Sequence, residues 1–332
     1  MSQGLSSRGT QSCSRRRPAW WIAAVALAPM ISAVADDDMG RRCRAHPGVA
    51  LVTVSVRVLT KQPTAGDDLT SDAFRVTLGG APREICAFEH SRQPVSLGIL
   101  FDASGSMKES GTNLLAIGRL ALSRVLEDAR PGDEFFLEYI RTAPKMAISW
   151  TSDTDRLRAS LAETPAIGRT ALIDSMYLAL NAMRKARWRN RGLLVLTDGF
   201  DTDSVYSFRE LEQAFAASPV PIFLALMIDR RPLRAELPLE EHVQREELTR
   251  FANRSGGYTT RIGSNQEEAA LIPQLAKAIR APYLMSFQAP TAETGGRLDL
   301  KVETPGLPRS TVALYRGALV ERPRQPGSRP VH

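Results

Sequence analysis

The stretch VSLGILFDASGSM, residues 95–107, is the most informative segment of this 332-residue chain. A mostly apolar run ends in Asp102, and serines follow at alternate positions, Ser104 and Ser106. Side chains two residues apart in an extended backbone point the same way, so these three groups can present oxygen atoms to one point. A carboxylate and two hydroxyls suit Mg²⁺, Mn²⁺ or Ca²⁺ better than zinc. A plain turn that caps the next helix is the alternative explanation.

Two later segments favour the metal site over the plain turn. Asp198 ends the apolar run LLVLTD, and Thr170 precedes the helical pattern ALIDSMYLAL. In a doubly wound sheet, ligands bind outside the carboxyl ends of the strands, where the strand order reverses. If Asp102 and Asp198 end neighbouring strands there, five oxygen donors converge. The predicted metal ligands are Asp102, Ser104, Ser106, Thr170 and Asp198.

Strand and helix patterns alternate between residues 94 and 281. Apolar runs occur at VSLGILF, EFFLEYI, MAISW, GLLVLT, VPIFLALMI and GYTTRI, with helical patterns between most of them. Such alternation predicts an α/β fold with a doubly wound, Rossmann-like, mainly parallel sheet covered on both faces. The loop RTAPK between EFFLEYI and MAISW is too short for a crossover, so one edge strand is expected to be antiparallel.

The segments on either side of this region have strand character. Residues 49–91 and 283–317 contain alternating apolar residues and Gly-rich turns. Neither segment has enough strands to bury a sheet face alone, so we expect them to pack together as a small β domain. Residues 36–48 are predicted to be a flexible arm, and the Arg- and Pro-rich residues 318–332 a disordered tail.

The first 35 residues differ from the rest of the chain. Arginines precede the apolar stretch PAWWIAAVALAPMISAVA, and no acidic residue occurs before Asp36. This layout predicts a signal peptide, cleaved near residue 35, and therefore an exported protein that is periplasmic or secreted. A retained membrane anchor is the alternative, although the apolar run falls short of the roughly 20 residues that a spanning helix needs.

Setting the leader aside changes how net charge and cysteine content are interpreted. The formal charge of +7 falls to +3 once the four arginines of the leader are set aside, so composition does not indicate a nucleic-acid partner. Cys13 lies in the leader, which leaves Cys43 and Cys86. In an oxidising compartment these two either form a disulfide or remain unrelated thiols, and both alternatives stay open.

The five predicted ligands, as Asp102-x-Ser104-x-Ser106 with Thr170 and Asp198, resemble the metal-ion-dependent adhesion site of von Willebrand factor type A domains. The resemblance covers about residues 94–281. Flanking segments such as LTSDAFRVTLGGAPREICAFEH also resemble a bacterial secreted subfamily of these proteins. The resemblance to the metal-ion-dependent adhesion site implies a divalent ion, most simply Mg²⁺, at the top of the sheet. It also implies a protein partner that offers a carboxylate to this ion.

An enzyme is the competing hypothesis. A phosphotransferase of the haloacid dehalogenase class would also place an aspartate after an apolar strand, here Asp102. Such an enzyme needs a second aspartate two residues later, where this chain has Ser104. HExxH, GxSxG and GxxxxGK[ST] motifs are also missing from the sequence. We therefore expect a binding module rather than an enzyme.

Overall fold

The computed structural model describes residues 43–59, 68–109, 113–217, 220–228, 239–263, 271–280, 282–294, 298–307 and 312–321. The described strands are β1 (Val49–Leu59), β2 (Arg75–Leu78), β3 (Ala81–Arg83), β4 (Ile85–His90), β5 (Ser96–Asp102), β6 (Glu134–Ile140), β7 (Lys145–Thr151), β8 (Arg191–Thr197), β9 (Ile222–Met227), β10 (Tyr258–Ile262), β11 (Tyr283–Pro290), β12 (Leu300–Glu303) and β13 (Val312–Glu321). The described helices are α1 (Ser106–Glu109), α2 (Leu114–Glu127), α3 (Thr154–Glu163), α4 (Leu172–Met183), α5 (Phe208–Ala217), α6 (Leu239–Arg254) and α7 (Leu271–Arg280).

The central sheet has six strands in the order β10-β9-β8-β5-β6-β7. All neighbouring pairs are parallel except β6 and β7, which are antiparallel. The predicted α/β fold class and its antiparallel edge strand are thus confirmed. Strand order reverses between β5 and its two neighbours, β6 and β8, because the chain goes first to one side of β5 and then to the other.

Helices cover both faces of this sheet, which explains why its strands are continuously apolar. All seven residues of β5 are buried. One face packs Ile99 and Phe101 under α2, α3 and α7, and the other packs Leu100 under α4, α5 and α6. Packing around β5 is so close that a Cβ atom at Gly98 would lie 2.4 Å from Cζ of Phe136, so this position requires glycine.

The flanking strands form two small antiparallel sheets, with the orders β13-β1-β11-β4 and β12-β2-β3. Each sheet combines strands from before and after the central region, as expected for a small β domain built from both flanking segments. Alternate residues of β1 and β11, including Val54 and Met285, are buried in a core that both sheets share. Boundaries between independently folding units remain a prediction.

Strand β1 also connects the small β domain to the central one. Its last residue, Leu59, belongs to the hydrophobic core of the central sheet. Two residues earlier, Arg57 is buried, donates a hydrogen bond to Oδ1 of Asn190 at 3.3 Å, and lies over the ring of Phe223. Burial lowers the pKa of Arg57 to about 10. The two sets of sheets are therefore joined by a buried contact.

Two expectations about the chain ends need correction. A disulfide joins Cys43 to Cys86 of β4 across 5.4 Å between Cα atoms, so the later part of the predicted flexible arm is covalently attached. Strand β13 continues to Glu321, beyond the predicted start of the disordered tail at residue 318, because its last residues pair with β1. The predicted signal peptide and residues 322–332 lie outside the described residues.

Candidate metal centre

The loop after β5 gathers three of the five predicted ligands. Asp102 is the last residue of β5 and is wholly buried. Its Oδ1 accepts hydrogen bonds from the backbone N–H of Ser104 at 3.0 Å and from the Ser104 hydroxyl at 2.6 Å. The hydroxyls of Ser104 and Ser106 lie 3.1 Å apart. The side chains at alternate positions, Asp102, Ser104 and Ser106, therefore bring their oxygen atoms next to one another, as the sequence predicts.

The end of β8 brings a fourth predicted ligand to the same place. Strands β5 and β8 are parallel neighbours, and Phe101 lies opposite Leu196. The residues after Phe101 and the residues after Leu196 therefore lie side by side. The Thr197 hydroxyl donates to Oδ2 of Asp102 at 2.6 Å. Asp198 follows and is only 7% exposed. Both carboxylates therefore lie at the carboxyl ends of adjacent strands, where a doubly wound sheet places its ligands.

Thr170, the fifth predicted ligand, lies between these two loops. The backbone N–H of Gly105 donates to the carbonyl of Gly168 at 2.9 Å, which ties the serine loop to the segment before Thr170. On the other side, the Thr170 carbonyl accepts from the N–H groups of Thr202 and Asp203, in the loop after Asp198. Thr170 itself is buried.

The two aspartates repel each other in a buried place. Burial is the main cause that raises the pKa of Asp102 to about 7, and the charge of Asp198 raises it further. Hydrogen bonds from Ser104 and Thr197 lower it, but by less. Within the described part of the chain, neither carboxylate forms an ion pair with a cationic side chain. Arg245, the nearby arginine, donates to the backbone carbonyl of Asp198 at 2.7 Å instead.

This donor set fits a small, hard divalent ion. Two carboxylates without a cationic partner and three hydroxyls are all oxygen donors, as Mg²⁺ prefers. A divalent cation between the aspartates would neutralise charge that the described side chains leave uncompensated. The described residues contain no group of three or more His, Cys, Asp or Glu side chains that could hold a metal elsewhere.

The structure adds two participants that the sequence analysis did not single out. The Thr197 hydroxyl donates a hydrogen bond to Oδ2 of Asp102. Its position directly before Asp198, at the end of an apolar strand, is the sequence feature that could have indicated this role. Thr202 accepts a hydrogen bond from the N–H of Thr170 through its hydroxyl at 3.0 Å. Both hydroxyls hold predicted ligands in place.

Comparison with known proteins identifies the region that contains the site. Residues 97–200 match the family model described as the von Willebrand factor type A domain. This part of the chain is therefore similar to a von Willebrand factor type A domain. The match includes all five predicted ligands, although it does not show that they bind a metal. No curated protein matches the chain. No helix among the described residues is long and apolar enough to cross a membrane.

Solved structures similar to the chain include three bacterial proteins. The protein BatB from Bacteroides thetaiotaomicron is 18% identical, with a TM-score of 0.43 over 55% of this chain and 98% of that one. A von Willebrand factor type A protein from Catenulispora acidiphila is 12% identical, with a TM-score of 0.44 over 83% and 75%. The domain of the pilus tip protein Mfa5 from Porphyromonas gingivalis is 16% identical, with a TM-score of 0.34 over 56% and 87%.

Proposed function

We propose that this protein is an exported, divalent-metal-dependent module that binds a protein partner through a carboxylate of that partner. Its metal ligands are Asp102, Ser104, Ser106, Thr170 and Asp198, bound directly or through water. Mg²⁺ is the expected ion, with Mn²⁺ and Ca²⁺ as alternatives. The match of the surrounding region to a von Willebrand factor type A domain supports a role in protein binding.

The observation that carries this proposal is the pair of buried carboxylates with which no cationic side chain of the described residues forms an ion pair. Leaving Asp102 and Asp198 close together in a low-dielectric place is unfavourable unless one is protonated or a cation is bound. The two aspartates balance the charge of a divalent ion, and five protein donors leave one position of a six-coordinate Mg²⁺ for a carboxylate from outside. The ligands lie in loops at one end of the sheet, where a partner could reach the ion.

Phosphoryl transfer from Asp102 is less well supported. Position 104 holds a serine whose hydroxyl donates to Oδ1 of Asp102, where the competing class of enzyme needs an aspartate. Oδ2 is already bound by Thr197, so both oxygens of the proposed nucleophile accept hydrogen bonds within the protein. A covalent aspartyl phosphate on Asp102, detected by mass spectrometry after incubation with phosphoryl donors, would contradict the proposed function.

Thermal unfolding with Mg²⁺ and with EDTA tests the metal site. A ligand that binds only the folded state stabilises it by about 2.7 kcal/mol at a hundredfold excess over its dissociation constant. We expect Mg²⁺ to raise the melting temperature of the wild type and to leave that of Asp102→Asn unchanged. The asparagine keeps an acceptor for Ser104 but removes one of the two charges that would hold the ion.

Asp203→Asn is the matched control because it removes a carboxylate from the rim of the same site. The side chain of Asp203 pairs with exposed Arg169 at 3.2 Å, and the substitution leaves the backbone hydrogen bond from Asp203 to Thr170 in place. This variant should respond to Mg²⁺ as the wild type does. An equal response of Asp102→Asn and the wild type would place the ion elsewhere and overturn the assignment.

The partner is tested by capture from an envelope extract. Immobilised wild type should retain a protein in Mg²⁺ and release it in EDTA, whereas Asp102→Asn should not retain it. Retention that is independent of both EDTA and Asp102 would contradict metal-dependent binding.

A further inference from the structure

The loop that joins α4 to β8 concentrates positive charge at the end of the sheet opposite the candidate metal centre. We call residues 184–191, RKARWRNR, the basic loop. It contains five cationic residues and no acidic one: Arg184, Lys185, Arg187, Arg189 and Arg191. Strand β8 begins at Arg191 and ends next to Asp198, so the length of the strand separates the basic loop from the predicted ligands.

The basic loop is held in place by the residues between its arginines. The backbone N–H of Trp188 donates to the Ser96 hydroxyl at 2.9 Å, and its indole N–H donates to the carbonyl of Gly132 at 2.8 Å. The buried amide of Asn190 donates to the carbonyl of Arg280 at 2.8 Å. Trp188 and Asn190 therefore anchor the second half of the basic loop to the body of the protein.

Four of the five cationic side chains of the basic loop are exposed, and within the described residues none of the five has an acidic partner. Arg184, Lys185, Arg187 and Arg189 are all exposed. Among the described residues, none of the five cations forms an ion pair, whereas Arg158 and Arg254 elsewhere on the surface each have an acidic partner. Glu134 contacts the loop, but its Oε1 accepts from the backbone N–H of Arg187 and from the Ser96 hydroxyl. The loop therefore carries more positive charge than the one carboxylate that contacts it, that of Glu134, can balance.

We propose that the basic loop binds the surface of an anionic phospholipid bilayer. Clusters of basic residues bind anionic membrane surfaces, and each residue near the surface contributes about 1 kcal/mol, or about fivefold in binding. Binding through this end leaves the candidate metal centre directed away from the membrane, toward a partner. This inference goes beyond the proposed function and does not depend on it.

A nucleic acid is less well matched to the same loop. Proteins that bind single strands stack bases on free aromatic faces. Trp188 is the one aromatic residue of the basic loop, the guanidinium of Arg187 lies 4.7 Å from its ring centroid, and its N–H is bound to Gly132. The charges are thus fixed on the surface without an open stacking platform.

Co-sedimentation with lipid vesicles tests the proposal. The full chain, purified in the form that the cell leaves after processing, is mixed with vesicles of phosphatidylcholine alone or with about one third phosphatidylglycerol. We expect binding only to the anionic vesicles, and weaker binding as salt is raised, since exposed charges are screened. Arg184→Gln/Arg189→Gln should lower the partition coefficient about 25-fold, which is two fivefold contributions to the same equilibrium constant.

The control variant Lys108→Gln/Arg209→Gln removes the same charge from exposed positions near the other end of the sheet. It should bind the anionic vesicles within about twofold of the wild type, because its charges do not face the bilayer. Equal losses in the two double variants would show that only net charge matters and overturn the proposal. Equal binding to neutral vesicles, or tighter binding per phosphate to duplex DNA at the same ionic strength, would also overturn it.

Discussion

At the scale of single residues, two buried carboxyl groups in the central sheet show contrasting environments. Asp102 accepts hydrogen bonds at both oxygens and lies beside Asp198 at the edge of the sheet. Glu138 lies within β6, opposite Leu100 in the register of β5. It is 1% exposed, and its Oε1 has no hydrogen-bond partner. A buried polar atom without a partner is costly, so Glu138 weakens the strand that carries it.

Stability is expected to depend on pH through Glu138. Burial raises the pKa of this carboxyl to about 8 from a usual value of 4.5. Between these values the folded protein keeps a proton that the unfolded chain releases, so the free energy of unfolding falls as the pH rises from 5 to 9. Glu138→Gln has no proton to lose and should show a smaller fall. Urea denaturation of both proteins across this range measures the difference.

The raised pKa of Asp102 also makes the free energy of unfolding fall with rising pH, and it does so in the wild type and in Glu138→Gln alike. Only the difference between the two pH profiles therefore reports on Glu138. Indistinguishable profiles would show that Glu138 is ionised in the folded state at neutral pH, contrary to the effect of its burial.

At the scale of elements, α4 depends on a residue from a different loop. Ala171 precedes the helix and provides no side-chain cap. Instead, Oδ1 of Asp201 accepts hydrogen bonds from the N–H groups of Leu172 at 2.7 Å and Ile173 at 3.3 Å. A carboxylate at a helix N-terminus satisfies free N–H groups and complements the helix dipole.

We therefore expect Asp201→Ala to lower the free energy of unfolding by about 1–2 kcal/mol, the usual effect of losing such a cap. Asp203→Ala, two residues away, should change it by less than about 1 kcal/mol, because an exposed ion pair contributes little. Urea denaturation at pH 7 compares them. Equal effects of the two substitutions would mean that Asp201 does not support α4.

At the scale of the whole molecule, the chain ends depend on each other. Strand β1 lies between β11 and β13, and both partners come from the last 50 residues. Along the chain, the whole of the central domain separates β1 from these two partner strands. The N-terminal strands are therefore expected to lose their structure if the C-terminal ones are removed, although residues 92–282 keep a complete six-stranded sheet.

A chain that ends at residue 282 tests this dependence. Amide hydrogen exchange should show lost protection in β1, at Val52, Val54 and Val56, because both of its neighbours are gone. Amides of β5 and β8 in the same sample serve as the control and should stay protected. Unchanged protection in β1 would contradict the shared β domain.

The sequence by itself determined the strand and helix order, the antiparallel edge and the placement of the Asp102 and Asp198 loops at strand ends. These features follow from local patterns: apolar runs, helical periodicity and a loop too short for a crossover. Even the choice of residues in the candidate site was visible, because four of its oxygen donors come at or just after the ends of two strands and Thr170 precedes a helical pattern.

Only the tertiary structure decided which residues far apart in the chain touch. Thr197 reaches Asp102, Asp201 caps α4, Cys43 bonds to Cys86, and Arg57 binds Asn190. No periodicity encodes such pairs, since each depends on how separate elements pack. The same holds for charge: the sequence contains the basic loop, but whether its arginines are exposed or paired depends on the carboxylates that folding brings near them.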